Sequence, residues 1–175
     1  MSRKIILNLA MSLDGFIADE DGGYDWIKGD GNSKYNTKDV WDFSKFMEQM
    51  DIVVMGRTCY DQSFHEDFTT KQVYVATTNP PKDYDNIHFI STDICRAISD
   101  LKEQDGKDIF LFGGGKLIDS FMKENIIDEY IFGIIPIILG KGRPLFYDNN
   151  PKVNLSLKQY YTEDGIIIMH YTRRV

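Results

Sequence analysis

Cysteine, histidine and proline are scarce in this chain: two, three and five residues among 175. Cys59 and Cys95 stand far apart, with no C-x-x-C and no histidine cluster beside them, which argues for a reducing compartment and against a zinc site. Positive charge is also in short supply, 20 Lys and Arg against 27 Asp and Glu, for a net charge of −7. That balance disfavours an extended surface for nucleic acid or anionic lipid, although a local pocket needs only a few cations. No stretch approaches the roughly 20 apolar residues that cross a bilayer. The opening M-S-R-K-I-I-L-N-L-A-M-S-L-D-G has a basic start and a short apolar run. Asp14 and Gly15 interrupt it, and no small-residue cleavage site follows, so it reads as a first strand and not as a signal peptide. Together these absences predict a cytoplasmic protein with a small-molecule partner, no nucleic acid and no membrane.

What is present is an ordinary globular composition, 42% hydrophobic, 13% aromatic and 27% charged. A chain of this length forms one domain, residues 1–175, that buries about 70% of its unfolded surface. No internal repeat, low-complexity tract or linker divides it. Apolar runs at Lys4–Met11, Ile52–Met55, Gln72–Ala76, Ile87–Ile90, Asp108–Phe112 and Asp128–Ile135 read as strands, the last stopped by Pro136. Leu13–Ser33, rich in Gly and Asp around Tyr24 and Trp26, reads as a long functional loop. Helical spacing of Val40, Phe43, Phe46, Met47 and Met50 predicts a helix over Asn36–Met50 capped by Thr37. Further helices are expected from Arg57–Thr58, from Thr92 or Asp93 through Gln104, and over Lys116–Asn125. Val153–Tyr161 and Gly165–Thr172 form a hairpin around the E-D-G of Glu163–Gly165. Strands alternating with helices imply a three-layer αβα fold: a mainly parallel sheet covered on both faces, with an antiparallel C-terminal hairpin.

Ligands of such sheets bind beyond the carboxyl ends of the strands. Three strand ends carry unusual sequence here: M-G-R-T-C-Y (Met55–Tyr60), A-T-T-N (Ala76–Asn79) and F-G-G-G-K (Phe112–Lys116). Gly113, Gly114 and Gly115 could serve only close strand–helix packing. Equally, they expose backbone N–H groups at a helix start, which suits phosphate, and Arg57, Thr58, Thr77 and Thr78 add a charged fork and hydroxyls. The set suits a nucleotide cofactor. The G-x-G-x-x-G and P-loop fingerprints do not fit, because Ile118, Phe110 and Leu117 stand where they require Gly or Ala, Gly, and Ser or Thr.

The order A-M-S-L-D-G-F-I-A (Ala10–Ala18), M-G-R-T-C-Y, A-T-T-N-P, F-G-G-G-K-L-I and P-I-I-L-G-K-G-R-P-L-F (Pro136–Phe146) resembles the dihydrofolate reductase superfamily. The first and last segments resemble in particular its riboflavin-biosynthesis branch, the RibD C-terminal domain. That resemblance implies a dihydrofolate reductase-like fold and NADPH as cofactor. It places Gly113, Gly114 and Gly115, with a cis Gly–Gly peptide, near the pyrophosphate, and Lys116, Leu117 and Ile118 in the helix beside the cofactor. It further places Gly56, Arg57 and Thr58 at the 2′-phosphate and pyrophosphate, Thr77 and Thr78 on the adenosine side, and Ala10 and Ile17 against the nicotinamide.

The chain departs from the riboflavin branch at G-R-T-C-Y-D-Q-S-F-H, which is closer to dihydrofolate reductases, and lacks the deaminase motifs of bifunctional riboflavin enzymes. Two carboxylates are candidates for the catalytic role. Asp39, spaced i, i+3 from Asp42 on the expected first helix, would pair with the substrate. Asp14 enters the long loop beside the nicotinamide, or simply makes a turn with Gly15. The implied function is an NADPH-dependent oxidoreductase transferring hydride to a small heterocyclic or ribosylaminopyrimidine-type substrate, as 5-amino-6-(5-phosphoribosylamino)uracil reductases of riboflavin biosynthesis do. Dihydrofolate reductase activity and nucleotide binding without turnover are the alternatives. Apolar Pro136–Phe146, which needs covering, and the branch's pairing through sheet edges imply a homodimer.

Overall fold

A computed structural model describes residues 3–174. The chain runs through β1 (Ile5–Ser12), β2 (Phe16–Ala18), α1 (Phe43–Glu48), β3 (Met50–Gly56), α2 (Arg57–Asp61), β4 (Gln72–Ala76), β5 (Ile87–Ile90) and α3 (Ile94–Lys102). It continues through β6 (Asp108–Gly113), α4 (Gly115–Lys123), β7 (Glu129–Ile135), β8 (Arg143–Pro144), β9 (Leu155–Glu163) and β10 (Ile166–Arg173). Eight strands form one sheet in the order β5-β4-β3-β6-β1-β7-β10-β9. The first six are parallel, and β10 returns antiparallel between β7 and β9.

The largely apolar central strands follow from cover on both faces. Ile5, Leu7, Val54, Ile109 and Leu111 pack under α3 and α4, against Ile98, Ile118 and Phe121. The alternate residues Ile6, Val53, Met55 and Phe110 pack on the opposite face against Phe46 of α1 and Phe68. The E-D-G turn forms as its residues require, with Asp164 at φ 48° and Gly165 at φ 82° joining β9 to β10.

The first helix is a correction. It begins at Phe43, not Asn36, and its cap is Asp42, whose carboxylate accepts from Lys45 N at 3.0 Å, not Thr37. The preceding segment is tied to the end of β9 instead. Thr37 N–H donates to Thr162 O at 2.9 Å, Thr162 N–H to Thr37 Oγ1 at 3.0 Å, and Asp164 N–H to the Asn36 side chain at 2.7 Å. Backbone groups with partners on the sheet have no need of a helix, so tertiary pairing overrides the helical spacing. Met50 then opens β3, and Val40 is left exposed. Asp39 therefore precedes the helix and shares no helical face with Asp42.

A second, small sheet was not foreseen. β2 pairs with β8, Ala18 opposite Arg143 and Phe16 opposite Pro144. It straps the Pro136–Phe146 segment to the loop that follows β1.

Candidate cofactor and substrate cleft

The carboxyl ends of β1, β3, β4 and β6 open into a cleft of about 1040 Å³. Ala10 and Ile17 line it, as do Gly56, Arg57 and Thr58, Thr77 and Thr78, and Gly113, Gly114, Gly115, Lys116, Leu117 and Ile118. Residues from four strand ends, scattered over most of the chain, thus share one wall.

The three glycines have three different reasons. Gly113 sits at φ 134°, where side-chain-bearing residues are strained, and its peptide to Gly114 is cis. A Cβ on Gly115 would meet Pro144 O at 2.9 Å and the Tyr147 ring at 3.3 Å, so this glycine serves packing against the strap. Gly114 is different. Its φ of −85° is open to any residue, and a Cβ there would find nothing closer than Cys59 Sγ at 3.9 Å. Gly56 ends the neighbouring strand β3 beside it with similar room, since an added Cβ there would stand 3.7 Å from Gly114 N. Together they leave a concavity in the protein surface at the start of α4, where the first-turn N–H groups have no intrahelical acceptor.

The cations of this wall differ in their commitments. Arg57 is partly engaged: Nε donates to Asp61 Oδ1 at 2.7 Å, Nη1 to Asn79 O at 3.4 Å, and the guanidinium lies 5.6 Å from the Tyr60 ring centre. Lys116 has no acidic partner among the described residues. Nor does Arg143, which sequence reasoning missed. Its guanidinium crosses from β8 to Gly22, where a Cβ would stand 2.9 Å from Nη1. One of two cations in the otherwise apolar Pro136–Phe146 run, beside Lys141, it was the available signal.

Neither proposed carboxylate lines the cleft, nor does any other Asp or Glu among the described residues. Asp14 accepts from Ser12 Oγ at 2.7 Å and from the N–H groups of Leu139 and Gly140 at 3.1 and 2.8 Å. The Ser12 hydrogen bond, with those N–H groups, holds its carboxyl below the ordinary range. Its visible work is to fasten the Leu139–Gly140 loop to the end of β1. Asp39 is exposed in the segment before α1. Trp26 is buried, its Nε1 donating to Gly23 O at 3.3 Å, and so packs the long loop from beneath. Tyr24 and Ile27 from that loop reach the cleft.

Two further lining residues bear on chemistry. Burial pushes the Cys59 thiol up to about 11, against a smaller pull from Arg143, so it is not a thiolate nucleophile. Asn8 lines the floor, and its side-chain nitrogen is shielded from solvent without a hydrogen-bond partner. Among the described residues no group of His, Cys, Asp and Glu is placed to hold a metal, and no helix is long and apolar enough to cross a membrane.

Known proteins place this geometry. The family model described as "RibD C-terminal domain" matches residues 3–168. The uncharacterized protein YwjB of Bacillus subtilis (strain 168) is 35% identical over 184 residues, covering 99% of each chain. A crystal structure of a Shewanella sp. PV-4 protein ascribed to riboflavin biosynthesis superposes with a TM-score of 0.80 at 29% identity, over 100% of both chains. Dihydrofolate reductase from Enterococcus faecalis, solved with NADP(H) and the ligand RAB-propyl, shares the fold, with a TM-score of 0.66 at 11% identity over 100% of both chains.

Proposed function

Because the chain belongs to the RibD C-terminal domain family, we propose that it is an NADPH-dependent reductase that moves hydride to a C=N or C=O bond of a small heterocycle. The observation that carries this reading is the room at Gly56 and Gly114, where an added Cβ would meet nothing closer than 3.7 Å, beside two cations with no acidic partner among the described residues. When bound, NADPH supplies the hydride. The protein's part is to hold and orient. The first-turn N–H groups of α4, Lys116 and Arg143 receive the pyrophosphate. The open end of Arg57, with Thr58, Thr77 and Thr78, receives the 2′-phosphate. Ala10, Ile17, Leu117 and Ile118 exclude water from the apolar side of the cofactor. With no carboxylate on the cleft wall, water supplies the proton.

The missing carboxylate also weighs against dihydrofolate as substrate. It favours as second reading a nucleotide-binding protein without turnover. Fluorescence titration with NADPH at fixed ionic strength tests the binding. Cofactor oxidation with 5-amino-6-(5-phosphoribosylamino)uracil, dihydrofolate and small carbonyl compounds then separates the readings. No NADPH binding defeats both. Binding without oxidation of any substrate leaves the second.

The working form in this reading is a cytoplasmic homodimer. β9 is the sheet's edge strand, and its register with β10 puts Leu157, Tyr160 and Ile167 on one face, all exposed, with Phe146 exposed on the strap segment. A second copy would cover them. A monomer mass by light scattering at micromolar concentration excludes the dimer.

A further inference from the structure

Asn8 is a polar residue at the top of an apolar face. Parallel pairing sets Ile6 opposite Phe110 and Leu7 opposite Leu111, so Asn8 follows Ile6 on the face of Phe110 and stands next to Phe112. On its other side the register partner is buried Ile131. Its amide nitrogen has no partner, a burial that destabilises the fold unless something answers it. Nothing in the chain does. A half-turn of the terminal torsion exchanges the two ends of the amide, so Asn8 can present a donor to the cleft it lines.

Around it the cleft is aromatic. Phe64 and Phe112 lie 5.2 Å apart between ring centres, and Tyr24 lies 5.7 Å from Phe64. Phe64 and Phe112 also wall an adjoining groove of about 400 Å³ that runs to Phe43 and Met47 of α1. The groove's ammonium is already committed, since Lys71 Nζ donates to Met47 O and Met50 O at 2.8 Å each. Asp67 adds a negative charge to the same wall. An anionic substituent finds no free cation on that groove wall.

We propose that Asn8 reads the substrate, its side-chain amide hydrogen-bonding a carbonyl or ring nitrogen of a flat, uncharged heterocycle seated against Phe64 and Phe112. This rests on the reductase reading of the same cleft and narrows its substrate class: an unphosphorylated aromatic compound whose substituent extends into the apolar groove. In the reaction, hydride adds to the carbon of the C=N bond, the π electrons pass to nitrogen, nitrogen takes a proton from water, and NADPH becomes NADP⁺. Asn8 orients the acceptor and transfers nothing.

Quinoxalin-2-one, flat and neutral with a C=N bond and a lactam carbonyl, is the probe. Its affinity for the NADP⁺-saturated protein is measured in the parent, Asn8→Leu and Asn8→Asp, with NADP⁺ affinity and melting temperature beside it. Both variants should weaken the probe about tenfold or more, the loss of one good hydrogen bond, while NADP⁺ affinity stays within about twofold of the parent. Ligand-free Asn8→Leu should melt at or above the parent, because it removes an unanswered polar group. The near-isosteric Asn8→Asp keeps the test open should the Leu variant fail to fold. Unchanged probe affinity in either folded variant overturns the proposal. So does a parent that binds NADP⁺ but not the probe, or that prefers a phosphorylated aminopyrimidine to it. A parent that binds neither NADP⁺ nor NADPH overturns the reductase reading itself, a separate and recognisable failure.

Discussion

The two ends of the parallel sheet treat their charged groups in opposite ways, although the amino end also keeps one unanswered polar group, the Tyr130 hydroxyl. At the amino end, charge is answered by charge. Arg3 meets Asp51 at 2.5 Å and Lys102 meets Asp128 at 2.7 Å, while the Asp108 carboxylate accepts from the backbone N–H of Lys4 at 2.8 Å. Buried Glu129 collects Lys4 at 2.6 Å, His170 Nε2 at 2.6 Å and Lys158 at 3.3 Å. At the carboxyl end, Lys116 and Arg143 face no carboxylate, Asn8 keeps an orphaned amide, and Gly56 and Gly114 leave room no side chain fills. Satisfied groups hold a fold together. Unsatisfied groups cost stability, and a protein that retains several at one place has a use for them there.

The sharpest way to break that contrast is to fill the open end. Gly114→Ala puts a methyl where the chain has room, so melting should be unchanged while NADPH affinity falls on the order of a hundredfold, about 2.7 kcal/mol. Equal affinity by titration would return Gly114 to a packing role.

At the opposite end Glu129→Gln should cost about 1–3 kcal/mol in urea unfolding and leave NADPH affinity alone. Burial alone would raise the Glu129 pKa, but the hydrogen bonds from His170 and Lys4 and the charges of Lys158 and Lys4 win and hold it at about 2. A depressed carboxylate contributes fully above its ordinary value. The parent should therefore lose stability as the pH falls from about 4.5 toward about 2, and the Gln variant should lose less over that window.

Smaller effects separate the cations of the cleft. Arg143→Ala should weaken NADPH and NADH alike, about tenfold, since both carry the pyrophosphate. Arg57→Ala should weaken NADPH alone, and by less than a free guanidinium would, because Asp61 already holds one edge. An unchanged NADPH/NADH ratio in Arg57→Ala would remove Arg57 from the 2′-phosphate. Smallest of all is Lys141→Ala. It breaks an exposed pair with Glu20, and should move neither stability nor affinity measurably.

Much of this was legible before the structure. Central strands such as Ile52–Met55 announce themselves by unbroken apolarity, and the Asp164–Gly165 turn by residues that tolerate positive φ. That the strand-end motifs Met55–Tyr60, Ala76–Asn79 and Phe112–Lys116 would meet in one cleft was legible too, since such ends lie together beyond a parallel sheet. Asn36–Met50 misled because helical spacing is a local signal, whereas the hydrogen bonds of Thr37 and Asn36 lie on the C-terminal hairpin. The reading of Asp39 as a helical carboxylate failed with it.

The sequence by itself determined the strands of the main sheet and the turn between its last two, because backbone propensity and apolar pattern act over a few residues. Only the tertiary structure decided which polar groups are answered. Asp14 is consumed by Leu139 and Gly140, Lys71 by two carbonyls of the α1–β3 junction, and Arg57 in part by Asp61. Asn8 and Arg143 are left over. Whether a polar group is spent depends on partners brought from far along the chain, and no local pattern records that.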